Sequence, residues 1–544
     1  MKHYRKAIAA IAILAFAYIG GRYASTLFNA PEQQAPATSK PTPRPSTQLS
    51  KNETELKPSI AIPLPEIPLA SADLALANEL VLSFEDENAY QDFIAKAEQV
   101  GISILARNGT LKSLRVRFDN DRENKRIRAL AGDDANIDAN YLVVVPTIPQ
   151  PNLTGLANQA FEDQALDWLG VPRDNESWGE GITIAILDTG VTEHPIFDGK
   201  TIERISLVDV AENPDSEYDG HGTAIASLIV GNQGTGISPA VNLISIQVMD
   251  STGTGDSFTL ATGIVEAVDK GASIISMSLG SYGYSSTLEK AIKYAQQNDV
   301  ILVASAGNDG MGELTYPARF DGVIGVAAID TESQRAEFSN FSEDVDIAAP
   351  GVGVYTAWGE DDWTRFSGTS AATPFIAGSI AATLSLDSEL TPQQAADIVL
   401  RYADDASAPG VDVNVGHGVL NMDRVINRDQ SGIADAALAD FYLDFDQATD
   451  STVPLLITVQ NRGTENLRSV SISLTQNEGY SQRIYLGQLV ENETTSHTLY
   501  LNRSQLTSES GYSISAKTML NGQSDSRQEN DAKSAFLQLA PEEE

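Results

Sequence analysis

The stretch "TIAILDTGV" (183–191) sets an apolar run, Ile184 to Leu187, directly before a carboxylate, Asp188, and a glycine turn. A half-buried strand alternates apolar and polar residues. An unbroken short run closed by turn residues reads instead as a strand covered on both faces. The same texture recurs in "NLISIQVM" (242–249), "SIISMSL" (273–279), "VILVASAG" (300–307) and "VIGVAA" (323–328), with helical segments between them. Apolar strands alternating with helices predict an α/β architecture, a doubly wound and mostly parallel sheet, over residues 150–430. In such sheets functional groups gather at the carboxyl ends of the strands, where Asp188 stands.

Ser370, in "TRFSGTSAATPFIAG" (364–378), sits among small residues at the start of an apolar, helix-compatible run that also holds Pro374. A helix N-terminus favours negative charge beside it. A serine nucleophile needs a base, an orienting acid and an oxyanion donor. The chain has 5 histidines, so the search for a base is short. His3 precedes the apolar N-terminal segment and His497 lies among C-terminal strands. His417 reads as a loop residue and His194 as a structural one beside a Pro-led turn. His221, in "YDGHGTAIASLIVG" (218–231), remains, at the start of a helical run. Singly, a carboxylate closing a strand is most often a turn residue, and a lone histidine is weak evidence. The order Asp188, His221, Ser370 changes that weighing.

"ILDTGV", "GHGTAIAS" and "FSGTSAATP", in that order, resemble the subtilisin-like serine proteases over residues 160–428. The resemblance implies Ser370 as nucleophile, His221 as general base and Asp188 as the acid that fixes the imidazole. It implies Asn308, in "VASAGNDG" (303–310), as oxyanion donor with the Ser370 N–H. It also implies two backbone edges between which an extended peptide would lie: "STGTGD" (251–256), with Gly253, Thr254 and Gly255, and "SMSLG" (276–280), with Ser278, Leu279 and Gly280. The glycines are then expected as points of close backbone approach. The implied chemistry needs no cofactor. The loop "GNQGTGISP" (231–239) is shorter than the one around the family's strongest calcium site, which leaves acidic stretches such as "NPDSEYDG" (213–220) for a structural calcium ion, with no ligand assigned. Ala224 replaces a second histidine that does no chemistry in the family. "DGMGELTYPARF" (309–320), at the rim of the primary specificity pocket, is also short, so side-chain preference stays open.

The flanks are read from the residues. Lys2, Arg5 and Lys6 precede an apolar run from Ala7 to Gly21, so residues 1–25 are expected to be a signal peptide or a membrane anchor. Everything after them is then exported. Residues 30–70 hold nine of the 23 prolines, so 26–72 reads as an extended linker. Residues 73–149 show the order βαββαβ, with Asn108-Gly109 as a hairpin signal, and predict a ferredoxin-like module. Residues 433–540 carry short strands and turn pairs and predict a β-sandwich. Beside a subtilase core, the first module resembles the family's inhibitory propeptide, and the sandwich resembles fibronectin-like, adhesion-related modules. The resemblance thus gives protein or peptide substrates and the chain's own propeptide as partners, with self-cleavage expected between Asn152 and Ala160.

With 36 basic and 74 acidic residues the net charge is −38, which argues strongly against nucleic acid or an anionic membrane surface as a partner, while anchoring through the N-terminal segment stays open. The absence of cysteine excludes disulfides and thiol chemistry. An esterase of the α/β-hydrolase type would need a Gly-x-Ser-x-Gly elbow, which "GTSAA" lacks. The remaining alternative, a non-catalytic adhesion protein working through the sandwich, does not require Asp188, His221, Asn308 and Ser370 to be present together.

Overall fold

The computed structural model describes residues 11–14, 74–146, 159–208, 218, 220–477, 479–506 and 511–539. The expected signal or anchor and the linker lie outside them, save Ile11–Leu14, a short strand beside the C-terminal strand of the sandwich.

The N-terminal module runs β1 (Ala75–Phe84), α1 (Glu87–Val100), β2 (Ser103–Asn108), β3 (Ser113–Arg117), α2 (Asp121–Ala131) and β4 (Ala135–Val144). Its antiparallel sheet has the order β2-β3-β1-β4. Tyr90, Phe93, Ile94 and Ala97, at helical spacing on α1, are buried against Leu82, Phe84 and Leu114. The β2–β3 turn is longer than the Asn108-Gly109 pair suggested. Asn108 Oδ1 caps it by accepting from Leu111 N.

The central sheet is seven-stranded and wholly parallel: β5 (Thr183–Asp188), β6 (Ile202–Ser206), β7 (Asn242–Gln247), β9 (Ile274–Met277), β10 (Ile301–Ser305), β11 (Val323–Ile329) and β12 (Ile347–Pro350). Their order is β12-β11-β10-β9-β5-β7-β6. The five apolar runs form its middle. β6, half exposed, and the short β12 close its edges; neither has the length or apolarity to be read from sequence. Helices α3 (His221–Val230) and α4 (Ser257–Asp269) both pack on β5 and β7, but α3 pairs with α6 (Thr369–Leu386) and α4 with α5 (Ser286–Gln297). The two helix pairs therefore cover opposite faces. α6, buried through Leu384, is apolar all round because it runs through the core.

Outside that sheet are the short strand β8 (Thr254–Asp256) and a hairpin, β13 (Val354–Trp358) and β14 (Asp362–Phe366). The C-terminal sandwich faces a three-stranded sheet, with Val453, Leu455, Ile457 and Val459 inward, against a second sheet bearing Val470, Ile472 and Leu474.

Candidate active site

Asp188, the last residue of β5, is buried. Its Oδ1 accepts from Thr189 N and from His221 Nδ1, both at 2.7 Å. His221 opens α3 and is fully buried. Phe366 packs edge-on against the imidazole, 5.3 Å between ring centres. An acceptor on Nδ1 keeps the proton there and leaves the Nε2 lone pair as a base. Among the described residues neither Nε2 nor Asp188 Oδ2 has a hydrogen-bond partner.

Ser370 is the second residue of α6. Pro374, four residues on, has no N–H to return to the Ser370 carbonyl, as an α-helix would require. Ser278 Oγ donates to that carbonyl instead, at 3.1 Å, while the Ser278 carbonyl accepts from Ser370 Oγ at 3.3 Å. The proline is visible in the sequence. Its effect, a vacancy that ties Ser278 to Ser370, is not.

Asn308 follows β10, and its Oδ1 accepts from Thr369 N and Oγ1, at 2.9 and 2.8 Å. That fixes the amide so that Nδ2 faces Gly368. Gly368 has φ of +144°, and a Cβ there would lie 2.9 Å from Asn308 Nδ2 and 3.6 Å from Ser370 N. Two N–H donors thus flank one small space, the arrangement that stabilises an oxyanion. Asn340 supports the loop: its Oδ1 accepts from Asp309 N and Met311 N, and its Nδ2 donates to Ala306 O and to Tyr282 Oη. Tyr282 in turn donates to Asp309 Oδ2 at 2.7 Å, and burial followed by that bond pushes its hydroxyl pKa up. No motif singles out Asn340 or Tyr282 in the sequence.

The two expected peptide-binding edges lie on either side of β4. Val143 pairs with Gly255 and Val144 with Thr254 on β8. Val144 also exchanges N–H···O bonds with Gly280, both at 2.9 Å, and Val145 N donates to Gly253 O. Gly253, Thr254, Gly255 and Gly280 therefore meet one extended strand of the N-terminal module. Leu279 points into the core and Ser278 toward Ser370. The reason for the glycines differs from expectation. A Cβ at Gly255 would meet the Val248 carbonyl oxygen at 2.5 Å, and one at Gly280 would meet Thr315 at 2.2 Å, so the core beneath crowds them, not the strand above.

Polar groups deepen this docking. Asn140 Oδ1 accepts from Ser257 Oγ and Phe258 N at the start of α4. Asp138 Oδ2 accepts from Ser286 N at the start of α5. Arg115 bridges Glu79 of its own module, at 2.7 Å, and Asp256 of the core, at 2.9 Å. Burial pushes the Glu79 carboxyl up, but hydrogen bonds from Arg115, Asn140 and Arg117 outweigh it and hold it below its ordinary value.

For calcium, the loop 231–239 carries no carboxylate, and the acidic stretch 213–220 falls largely outside the described residues. Among the described residues no three acidic or histidine side chains converge as metal ligands, so no role for calcium is derived. His194 is structural: its Nδ1 accepts from Ile196 N.

Residues 179–418 match the subtilase family. The thermostable alkaline protease of Halalkalibacterium halodurans is 35% identical over 251 residues, 45% of this chain and 68% of that protein. Thermitase of Thermoactinomyces vulgaris is 38% identical over 206 residues, 37% of this chain and 74% of thermitase. The crystal structure of fervidolysin from Fervidobacterium pennivorans, a keratinolytic enzyme related to subtilisin, aligns over 85% of this chain and 92% of its own, with TM-score 0.56 and 18% identity, a likeness of fold.

Proposed function

The chain belongs to the subtilase family and is a subtilisin-like serine endopeptidase, and from that premise we propose that it is exported as a zymogen and works through Ser370, His221 and Asp188. The carrying observation is the 2.7 Å contact between His221 Nδ1 and Asp188 Oδ1 inside the protein, which leaves His221 Nε2 without a hydrogen-bond partner among the described residues. Ser370 Oγ adds to the scissile carbonyl as His221 Nε2 takes its proton. Asp188 holds the imidazole in the right tautomer and stabilises the imidazolium. The developing oxyanion sits in the space at Gly368, between Asn308 Nδ2 and Ser370 N. His221 passes the proton to the departing amine, and water then releases the acyl group from Ser370. Catalysis in this family needs no cofactor.

Residues 73–149 act as the propeptide, with β4 laid along the two edges that a protein or peptide substrate would use. The export assignment rests on the basic and apolar residues 1–25, and membrane attachment depends on whether they are removed. The sandwich, 433–540, is an accessory module. The test is intact-mass measurement of the purified wild type and of Ser370→Ala. We expect a shortened, active chain from the first, and an unprocessed, folded and inactive chain from the second. Peptide hydrolysis by Ser370→Ala at wild-type rate would refute the assignment.

A further inference from the structure

We propose that Pro146 is a brake on self-processing: it presents, opposite Ser278, a residue with no N–H, and so protects the bond that follows it. The inference rests on the reading of β4 as the propeptide's end in the cleft. Its first element is register. In an antiparallel pair, residues that exchange both N–H···O bonds recur at every second position. Val144 and Gly280 are such a pair, each bond 2.9 Å. Two residues further along the leader and two back along its partner, the next pair is Pro146 and Ser278. Val145, between them, turns its N–H the other way, to Gly253 O, as the alternation requires.

The second element is the missing donor. Any other residue at 146 would offer its N–H to the Ser278 carbonyl; proline cannot. That carbonyl is the one that accepts from Ser370 Oγ, at 3.3 Å. A hydroxyl donating to Ser278 is not donating to His221, and His221 Nε2 has no hydrogen-bond partner among the described residues. Pro146 itself is buried. With the leader docked, the Ser370 hydroxyl thus points to the Ser278 carbonyl, and the leader makes no bond of its own there to hold the 146 carbonyl in place.

Cutting after residue 146 would mean Ser370 Oγ adding to the 146 carbonyl, its proton passing to His221 Nε2 and on to the departing Thr147 amine. Water would then free the new carboxyl end and restore the Ser370 hydroxyl. An N–H at 146 shares the Ser278 carbonyl with Ser370 Oγ, weakens its hold on that hydroxyl and fixes the scissile carbonyl in register. One neutral hydrogen bond of this kind changes the rate about fivefold. Pro146→Ala supplies it.

The experiment follows full-length wild type, Pro146→Ala and Ser370→Ala by intact mass over time at one low concentration. The thermal midpoint of Pro146→Ala/Ser370→Ala against Ser370→Ala checks folding. We expect Pro146→Ala to process at least about fivefold faster, with a mature chain beginning at Thr147, while the wild type begins further downstream. The mature forms should hydrolyse a small chromogenic peptide at equal rates. Equal processing rates and equal first residues in wild type and Pro146→Ala would overturn the brake while leaving the propeptide reading intact. A wild type that stays full length while hydrolysing peptide would remove the propeptide reading and the brake with it.

Discussion

Gly368→Ala tests the oxyanion site more sharply than removal of either donor. The methyl would sit 2.9 Å from Asn308 Nδ2 and 3.6 Å from Ser370 N, in the space a substrate oxygen must enter. Loss of one preorganised donor costs about 10²–10³ in kcat, about 2.7–4 kcal/mol. The methyl obstructs both donors at once, so the loss should be at least that of Asn308→Ala, and kcat should fall by about 10³ or more. Backbone strain is a separate effect. At φ of +144° an alanine is in a region open almost only to glycine, which costs about 1–3 kcal/mol of stability. The two effects are separated by measuring kcat on a chromogenic peptide and the thermal midpoint on the same preparation, with Asn308→Ala beside it. A Gly368→Ala enzyme that folds and retains kcat within about threefold of wild type would show that the oxygen does not lie between these donors, since even one lost donor exceeds that.

Arg115→Ala leaves Glu79 with Arg117 and Asn140 and unties the leader from Asp256. Breaking a partly buried bridge of this kind should shorten the lag before peptidase activity appears by about tenfold, about 1.4 kcal/mol, read from progress curves of freshly purified full-length chain. An unchanged lag would mean that the main-chain pairing alone sets the leader's affinity. Acid should act at the same place. Glu79 is held below its ordinary value, so the stability it contributes is complete above the unfolded carboxyl range and is lost as pH falls through the folded value. In Ser370→Ala, the protection of the β1 and β4 amides, taken relative to the intrinsic exchange rate at each pH, should therefore fall below about pH 4 and stay constant from about pH 5 to 8. Protection that falls on going from pH 5 to 8 would contradict the sign.

How much of this was legible depended on whether a feature leaves a local trace. The middle strands were readable because burial on both faces forces continuous apolarity, as in Ile184–Leu187 and Ile301–Ala304. The edge strands β6 and β12 leave no such trace: one is half exposed, the other four residues long. Asp188, His221 and Ser370 were legible because each stands in a cluster of small residues at an element boundary. Asn340 and Tyr282 were not, because they act through contacts made only when distant loops meet. The glycines at 255 and 280 show a third case. Their identity suggested a close approach by a bound strand, whereas the group that crowds them is the core beneath, which no reading of a single strand reveals.

The propeptide reading requires the N-terminal module to bind firmly and still be able to leave. α4 and α5 each carry a cap of their own: Asp256 accepts from Phe258 N and Thr259 N, and Ser285 accepts from Leu288 N. The leader's Asn140 and Asp138 add second acceptors at those ends, where the helix dipole favours a carboxylate by about 0.3–1 kcal/mol. Phe258 N keeps Asp256 when Asn140 departs. At the other helix, Ser286 N loses Asp138 but faces solvent once the leader is gone, so water can take its place. Docking thus draws on helix ends that are already nearly satisfied, and undocking leaves no buried polar group stranded. The cost of release falls instead on β4, whose backbone bonds to Gly253 and Gly280 must be exchanged for those of an incoming peptide. On the propeptide reading, that places control of activity at the strand's end, beside Pro146, and not in the stability of the core.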